Sequence, residues 1–137
     1  MSDDLTALEP GASAELSVMV TEEMTAARYG NSGVEVLATP YLIGLLESVS
    51  VLAIKPALGP DQGTVGTAVD VRHEAATPPG MRVTAAARLV QVDDRRLTFQ
   101  VQAHDERERI MFGTHERFVV ELERFLTGTR RKASGSD

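Results

Sequence analysis

Between Glu35 and Lys55 lie nineteen residues, VLATPYLIGLLESVSVLAI, whose only charge is Glu47. An ionised carboxylate taken out of water costs several kcal/mol, roughly, unless a cation or hydrogen bonds compensate, so Glu47 is expected to be paired, protonated or used in chemistry. A partner is suggested by parity further along. In the run from Thr64 to Ala75, alternation places Val65, Val69, Val71 and His73 on one face and Asp70, Arg72 and Glu74 on the other, so His73 should point inward. Two polar groups inside one small core are expected to meet, and a carboxylate beside an imidazole is suited to proton transfer near neutral pH. A core histidine bonded only to backbone is the plainer alternative.

Thr39 precedes Pro40 at the head of the apolar stretch, where a Thr hydroxyl can cap a helix and Pro loses no hydrogen bond at the first helical position. Eight residues separate Thr39 from Glu47, about 12 Å along a helix axis, so the two should not touch within one chain. Cooperation among Thr39, Glu47 and His73 would then need a helix start and a strand from different subunits. His104 and His115 fall opposite the apolar sets of their runs and are expected at the surface. No metal site is predicted.

The elements that must carry these residues follow from pattern. Ala14, Leu16, Val18 and Val20 alternate with Ser13, Glu15 and Ser17, predicting a half-buried strand. Residues 21–33 break at Gly30-Asn31-Ser32-Gly33 and read as a loop. A helix is predicted from Thr39 to about Ile54, closed by Lys55-Pro56. Gly44 in its middle suggests close packing at that point. Four strand-like runs come next: Thr64 to Ala75, Met81 to Val92, Leu97 to His104, and Ile110 to Leu122. Their inward sets are read as Met81, Val83, Ala85 and Leu89, then Leu97, Phe99 and Val101, then Ile110, Phe112, Phe118 and Val120. With no helical period among them, an antiparallel meander is expected.

At 137 residues the chain is read as one domain, residues 1–126, with a disordered tail at 127–137 and an acidic, disordered lead-in before the first strand. The 14 Lys and Arg against 20 Asp and Glu give a net charge of -6, which excludes a general nucleic-acid binder. Cysteine is absent, so no disulfide or thiolate metal site is available and cytoplasmic residence is the default. The apolar stretch reaches membrane-spanning length, but Pro40, Gly44, Ser48, Ser50 and Glu47 favour a core helix over a lipid-facing one.

Strand, apolar helix and four antiparallel strands make an α+β layout in which a curved sheet of about five strands wraps one long helix, the hot dog fold. The sheet edge left by such a small domain is expected to pair with a second copy, giving a homodimer. The segments VLATPYLIGLLES, GTVGTAVDVRHEAATPPG and GTHERFVV, in register from about Val34 to Leu126, resemble the fluoroacetyl-CoA thioesterase-like hot dog family. That resemblance implies a catalytic set at Thr39, Glu47 and His73, substrate contacts at Gly66 and Arg117, a homodimer with its site at the subunit boundary, coenzyme A only as part of the substrate, and no metal or prosthetic group. Between first strand and helix the family carries a longer lid with Phe. The loop here is shorter and has none, so strict selectivity for a fluorinated acyl group is not implied. Met24, Tyr29 and Tyr41 could supply apolar cover, with plain packing the better account of each.

The expected activity is hydrolysis of a short acyl-CoA to a carboxylic acid and free coenzyme A. A hot dog hydratase or dehydratase and a non-catalytic acyl-CoA binding module are the alternatives. Gly66 is expected to allow a close backbone approach by a ligand or the helix. Arg82 and Arg88 on one outward face, with Arg130, Arg131 and Lys132 in the tail, could meet coenzyme A phosphates, though solvated surface charge is the better account of them.

Overall fold

The computed structural model describes residues 8–135. The expected lead-in at residues 1–7 and the last two residues of the expected tail lie outside that range. Leu8, within the lead-in as read, is buried in the core, and the Gly11 amide donates to the Leu89 carbonyl at 2.8 Å, so residues 8–11 belong to the packed domain.

Five strands, β1 (Ser13–Met19), β2 (Gln62–His73), β3 (Arg82–Asp93), β4 (Arg96–His104) and β5 (Arg109–Glu121), form one antiparallel sheet in the order β1-β3-β4-β5-β2. Helix α1 (Thr39–Ile54) lies between β1 and β2 in sequence and packs chiefly on β1 and β3. Its buried residues Leu42, Leu45, Leu46, Val49, Ser50 and Ile54 recur every three or four positions, one stripe aimed at the sheet. Facing them are Val83, Ala85, Ala87 and Leu89 of β3 and Leu97, Phe99, Val101 and Ala103 of β4, all buried. The inner parities predicted for β1, β3 and β4 are therefore those observed.

The meander is confined to β3, β4 and β5. After α1 the chain crosses to the far side, so β2 pairs with β5 and leaves its other edge open. A bulge between Gly66 and Ala68 resets β2: Gly66 lies opposite Arg117, while Val69, Val71 and His73 lie opposite His115, Gly113 and Met111. Val65 pairs with Phe118 on the outer face and does not join the inward set.

In β5 the predicted parity is inverted. Met111, His115, Arg117 and Val119 are buried, whereas Phe112 and Val120 are half-buried and Phe118 is exposed; Ile110 alone of the expected set is in the core. Apolar residues on the outer face of β5 mimic a core stripe, and the inner face carries the polar ones.

Residues 127–134 of the expected tail are helical. Helix α2 (Leu122–Ser134) follows β5 directly and ends at Gly135 in the left-handed region. Leu122 seats against Gly63 so closely that a β-carbon there would come within 2.8 Å of its Cδ2, which explains the chain's turn at the sheet edge. Leu122 is nonetheless exposed, as are the other residues of α2, Phe125 and Leu126 included.

Helix α1 is long and apolar enough to cross a membrane by composition, yet here it packs along the sheet. It is not enclosed on all sides: Leu52 is 44% exposed and Ser48 is open to solvent. Nothing lies within 4 Å of where a Gly44 β-carbon would sit, so the close packing expected there is not made within one chain.

Candidate functional site

Two clusters of polar side chains lie on the inner side, at opposite ends of β2. The first joins the start of α1 to the end of β2, where the Thr39 hydroxyl meets His73 Nδ1 at 2.7 Å. Thr39 is the first helical residue and Ala38 the cap, with no side-chain cap bond. The capping role expected for Thr39 is therefore not observed, because its hydroxyl is engaged by an imidazole 34 residues away. His73 Nε2 is buried and has no hydrogen-bond partner among the described residues. Burial lowers the His73 pKa, with a backbone hydrogen bond at Ala75 pulling the other way, which favours a neutral ring.

A cleft of about 300 Å³ opens beside this pair, lined in part by Val34, Leu37, Thr39, His73 and Ala75. Residues 21–38 fold over it through two short 3-10 turns, Glu22–Met24 and Ala26–Tyr29, a bridge from Thr25 to Leu37, and a bond from the Ala38 amide to the Met24 carbonyl at 2.8 Å. Met24 packs on the core, Tyr41 does the same from the helix, and Tyr29 points largely to solvent.

The second cluster centres on Glu47. Its carboxylate does not meet His73; Oε2 lies 3.2 Å from Arg117 Nη1 and 3.9 Å from His115 Nε2. The Glu47 side chain is 42% exposed and that of Arg117 only 8%. Arg117 is pinned from below, with Nε donating to Thr64 Oγ1 at 2.9 Å and Nη2 to the Thr64 carbonyl at 3.1 Å. Gly66 supplies bare backbone beneath the carboxylate: a β-carbon there would fall 2.5 Å from Glu47 Oε2 and 3.2 Å from Arg117 Nη1. The close approach expected at Gly66 is thus made by the helix carboxylate.

His115, expected at the surface, is 2% exposed and completes this cluster. It donates from Nδ1 to the Ala68 carbonyl at 2.8 Å and stacks near Phe99, ring centroids 6.2 Å apart. Burial lowers its pKa, the Ala68 bond opposes that, and the neighbouring Arg117 lowers it further. The signal available in the sequence was that His115 and Arg117 share parity with Met111 and Val119, a second apolar pair on β5.

The arrangement offers a carboxylate steered by one guanidinium nitrogen over a side-chain-free strand position, and separately a hydroxyl–imidazole pair with a buried, unpartnered ring nitrogen. These are the parts of a general acid–base site. Among the described residues, no group of three or more His, Cys, Asp or Glu side chains is placed to hold a metal ion. His104 lies at the exposed end of β4, and Arg82 and Arg88 are exposed, well apart from both clusters.

Comparison with known proteins identifies the family. A fluoroacetyl-CoA thioesterase of Streptantibioticus cattleyicolor is 49% identical over 98 residues, spanning 72% of this chain and 70% of that protein. A solved fluoroacetyl-CoA thioesterase superposes with a TM-score of 0.84 at 40% identity, covering 91% of this chain and 97% of the other; a variant solved with acetyl-CoA gives 0.85 at 40%, covering 91% and 98%. A Thermus thermophilus member of the thioesterase superfamily gives 0.86 at 28% identity, over 93% of this chain and 94% of its own. These neighbours share the hot dog-like sheet and helix. With the sequence profile of the fluoroacetyl-CoA-specific thioesterases matching residues 20–123, the chain belongs to that family of thioester hydrolases.

Proposed function

We propose that this chain hydrolyses a short acyl-CoA to a carboxylic acid and free coenzyme A, as a cytoplasmic homodimer whose two active sites are each completed across the subunit boundary. The observation that carries the proposal is the Glu47 carboxylate, held on Oε2 by Arg117 above Gly66 with Oε1 left free for a reacting group. Membership of the thioesterase family supplies the substrate class, and the Phe-free segment over the Thr39–His73 cleft supports an enzyme without strict preference for a fluorinated acyl group.

In this reading Glu47 either attacks the thioester carbonyl or takes the proton of an attacking water. The carbonyl oxygen gains the negative charge, and a backbone amide at the Gly66 bulge together with the Arg117 guanidinium is suited to stabilise it. Collapse of the tetrahedral intermediate breaks the C–S bond and expels the thiolate. In the water route the proton that Glu47 took from water passes through His73, oriented by Thr39 at its Nδ1, to the thiolate sulfur. In the covalent route a water hydrolyses the anhydride on Glu47 while His73 relays that water's proton to the thiolate. Side chains and one backbone amide suffice for every step, so the reading needs no metal or prosthetic group.

Within one chain the two clusters are too far apart for this chemistry, about 12 Å along α1 alone. A second copy resolves the distance. The twelve-residue edge strand β2 has its outer side unpaired, and Val69, on the inner face, is still 42% exposed. Antiparallel pairing of two β2 strands about a two-fold near Val69 and Asp70 lays Gly66 within about two residues of the partner's His73. Glu47, over Gly66, then comes beside the unpartnered Nε2 of that imidazole. The uncovered side of α1 adds apolar surface to the same boundary.

Glu47→Gln tests the assignment. It preserves volume and removes the negative charge, so thiol release from acetyl-CoA should fall by at least about 10³-fold in a folded dimer. Undiminished turnover removes Glu47 from the chemistry, and trapping an acyl group on Glu47 decides between covalent and water-mediated attack.

A further inference from the structure

We propose that His115 is a positioning residue: its imidazole, donating from Nδ1 to the Ala68 carbonyl and accepting at Nε2 from Arg117 Nη1, fixes the guanidinium that steers Glu47 over Gly66. The tautomer is dictated at both ends. A carbonyl only accepts, so Nδ1 at 2.8 Å from Ala68 carries the hydrogen. A guanidinium only donates, so Nε2 at 3.1 Å from Arg117 presents its lone pair. Protonating Nε2 would set two donors and two positive charges against each other in a buried space.

The 3.9 Å separation between His115 Nε2 and Glu47 Oε2 is too long for a hydrogen bond, and Nη1 bonds to both groups. One Nη1 hydrogen goes to the carboxylate and the other to the imidazole, while Nε and Nη2 go to Thr64. Four of the five guanidinium hydrogens are thereby assigned, and only the pair on Nη1 decides whether that nitrogen faces the carboxylate. His115 also grips the strand bulge at Ala68, two residues from Gly66, so one ring ties the guanidinium to the backbone on which the carboxylate rests. The charged groups facing the ring are Arg117 and Glu116 from β5 and Glu47 from α1.

This inference rests on the assignment of Glu47 to the chemistry, and its test separates the two. Nitrogen-15 spectra of the wild-type dimer should show His115 with a protonated Nδ1 and a bare Nε2 across roughly pH 6 to 8. A protonated Nε2 in that range overturns the proposal, whatever the activity. His115→Phe keeps the ring packing and loses both bonds; His115→Gln keeps an acceptor near the position of Nε2. The Phe variant should lose kcat by about tenfold to a hundredfold with little change in KM, and its Arg117 Nη signals should lose their distinct, ordered positions. The Gln variant should recover much of both.

Combined with Arg117→Met, the Phe substitution should add almost nothing further, because both act through one guanidinium. Fully additive losses, or a lowered melting temperature with normal kcat, would show that His115 only fills the core. If the Phe variant fails to fold, the wild-type tautomer and the Gln variant still decide. Absence of thioester turnover in the wild type would sink the functional reading while leaving the spectra to judge His115.

Discussion

Gly66→Ala is the sharpest probe of the geometry around Glu47. The β-carbon introduced there would lie 2.5 Å from Glu47 Oε2, about 1 Å inside ordinary van der Waals contact. Something must give, and the surroundings determine what. Arg117 is 8% exposed and tied to Thr64 twice and to His115 once, so it holds. Glu47 is 42% exposed and held only through Oε2, so its carboxylate swings away. Displacing a catalytic group by about 1 Å costs on the order of 10²-fold in rate, or about 2.7 kcal/mol on the barrier. Stability should hardly change, because Gly66 does not occupy the left-handed region and Ala narrows the unfolded ensemble by about 0.4–1 kcal/mol in favour of the fold. Thiol release under saturating acetyl-CoA, alongside thermal unfolding, reads both effects. A folded Gly66→Ala enzyme with kcat within about threefold of wild type would refute the argument that bare backbone at Gly66 seats the carboxylate.

Thr39→Val keeps shape and deletes the hydroxyl 2.7 Å from His73 Nδ1; losing one orienting hydrogen bond of about 1 kcal/mol should cut kcat roughly fivefold to tenfold, and a loss beyond about 10³-fold would give Thr39 a part in the bond-making step itself. His73 and His115 both have pKa values lowered by burial, so the unfolded chain binds protons that the folded chain refuses. Their stabilisation is full above the ordinary imidazole pKa of about 6.5 and is lost as pH falls below it; melting temperatures across that range should decline toward acid, and a flat profile would count against two neutral imidazoles. Val69→Lys places a charge on the open edge of β2 and should convert a dimer to a monomer in sedimentation or light scattering with at least about a hundredfold loss of turnover; a fully active monomer would end the composite-site reading.

Some of this was legible in the chain because the determinants are local. Helix α1 runs from Thr39 to Ile54 as predicted, since a Thr-Pro start and a Lys-Pro stop act within a few residues. Strands β3 and β4 show the expected inner faces because each is apolar on one side only. The misreadings are non-local. That β2 joins the far edge beside β5 depends on the crossing of the whole sheet and leaves no trace in its own residues. Thr39 has the chemistry of a helix cap, and only the fold shows that its hydroxyl is engaged by His73. Helix α2 looked polar enough to be a tail, yet Leu122, Phe125 and Leu126 already had helical spacing, and Gly63 provides the seat for the first of them. Gly66 was read from its residue type as a close-approach position, but Arg117 came only through resemblance to a family, since nothing local marks an arginine on a strand as buried.

The inversion of β5 has a physical cause that also explains why the site sits there. A strand whose inner face must hold a guanidinium and an imidazole cannot also present an unbroken apolar stripe inward, so its sequence pattern breaks where the proposed site lies. Met111 and Val119 keep each end of β5 in the core, and His115 and Arg117 occupy the stretch between, where the facing strand β2 bulges at Gly66 and the helix brings a carboxylate. Burying that arginine is tolerable because its hydrogens find acceptors on Thr64, His115 and Glu47 before any substrate arrives. His73 lacks that completeness: its Nε2 has no acceptor or donor among the described residues. One half of the proposed site is therefore satisfied alone and the other is not, and the open strand edge between them is where the proposed pairing would finish the chemistry.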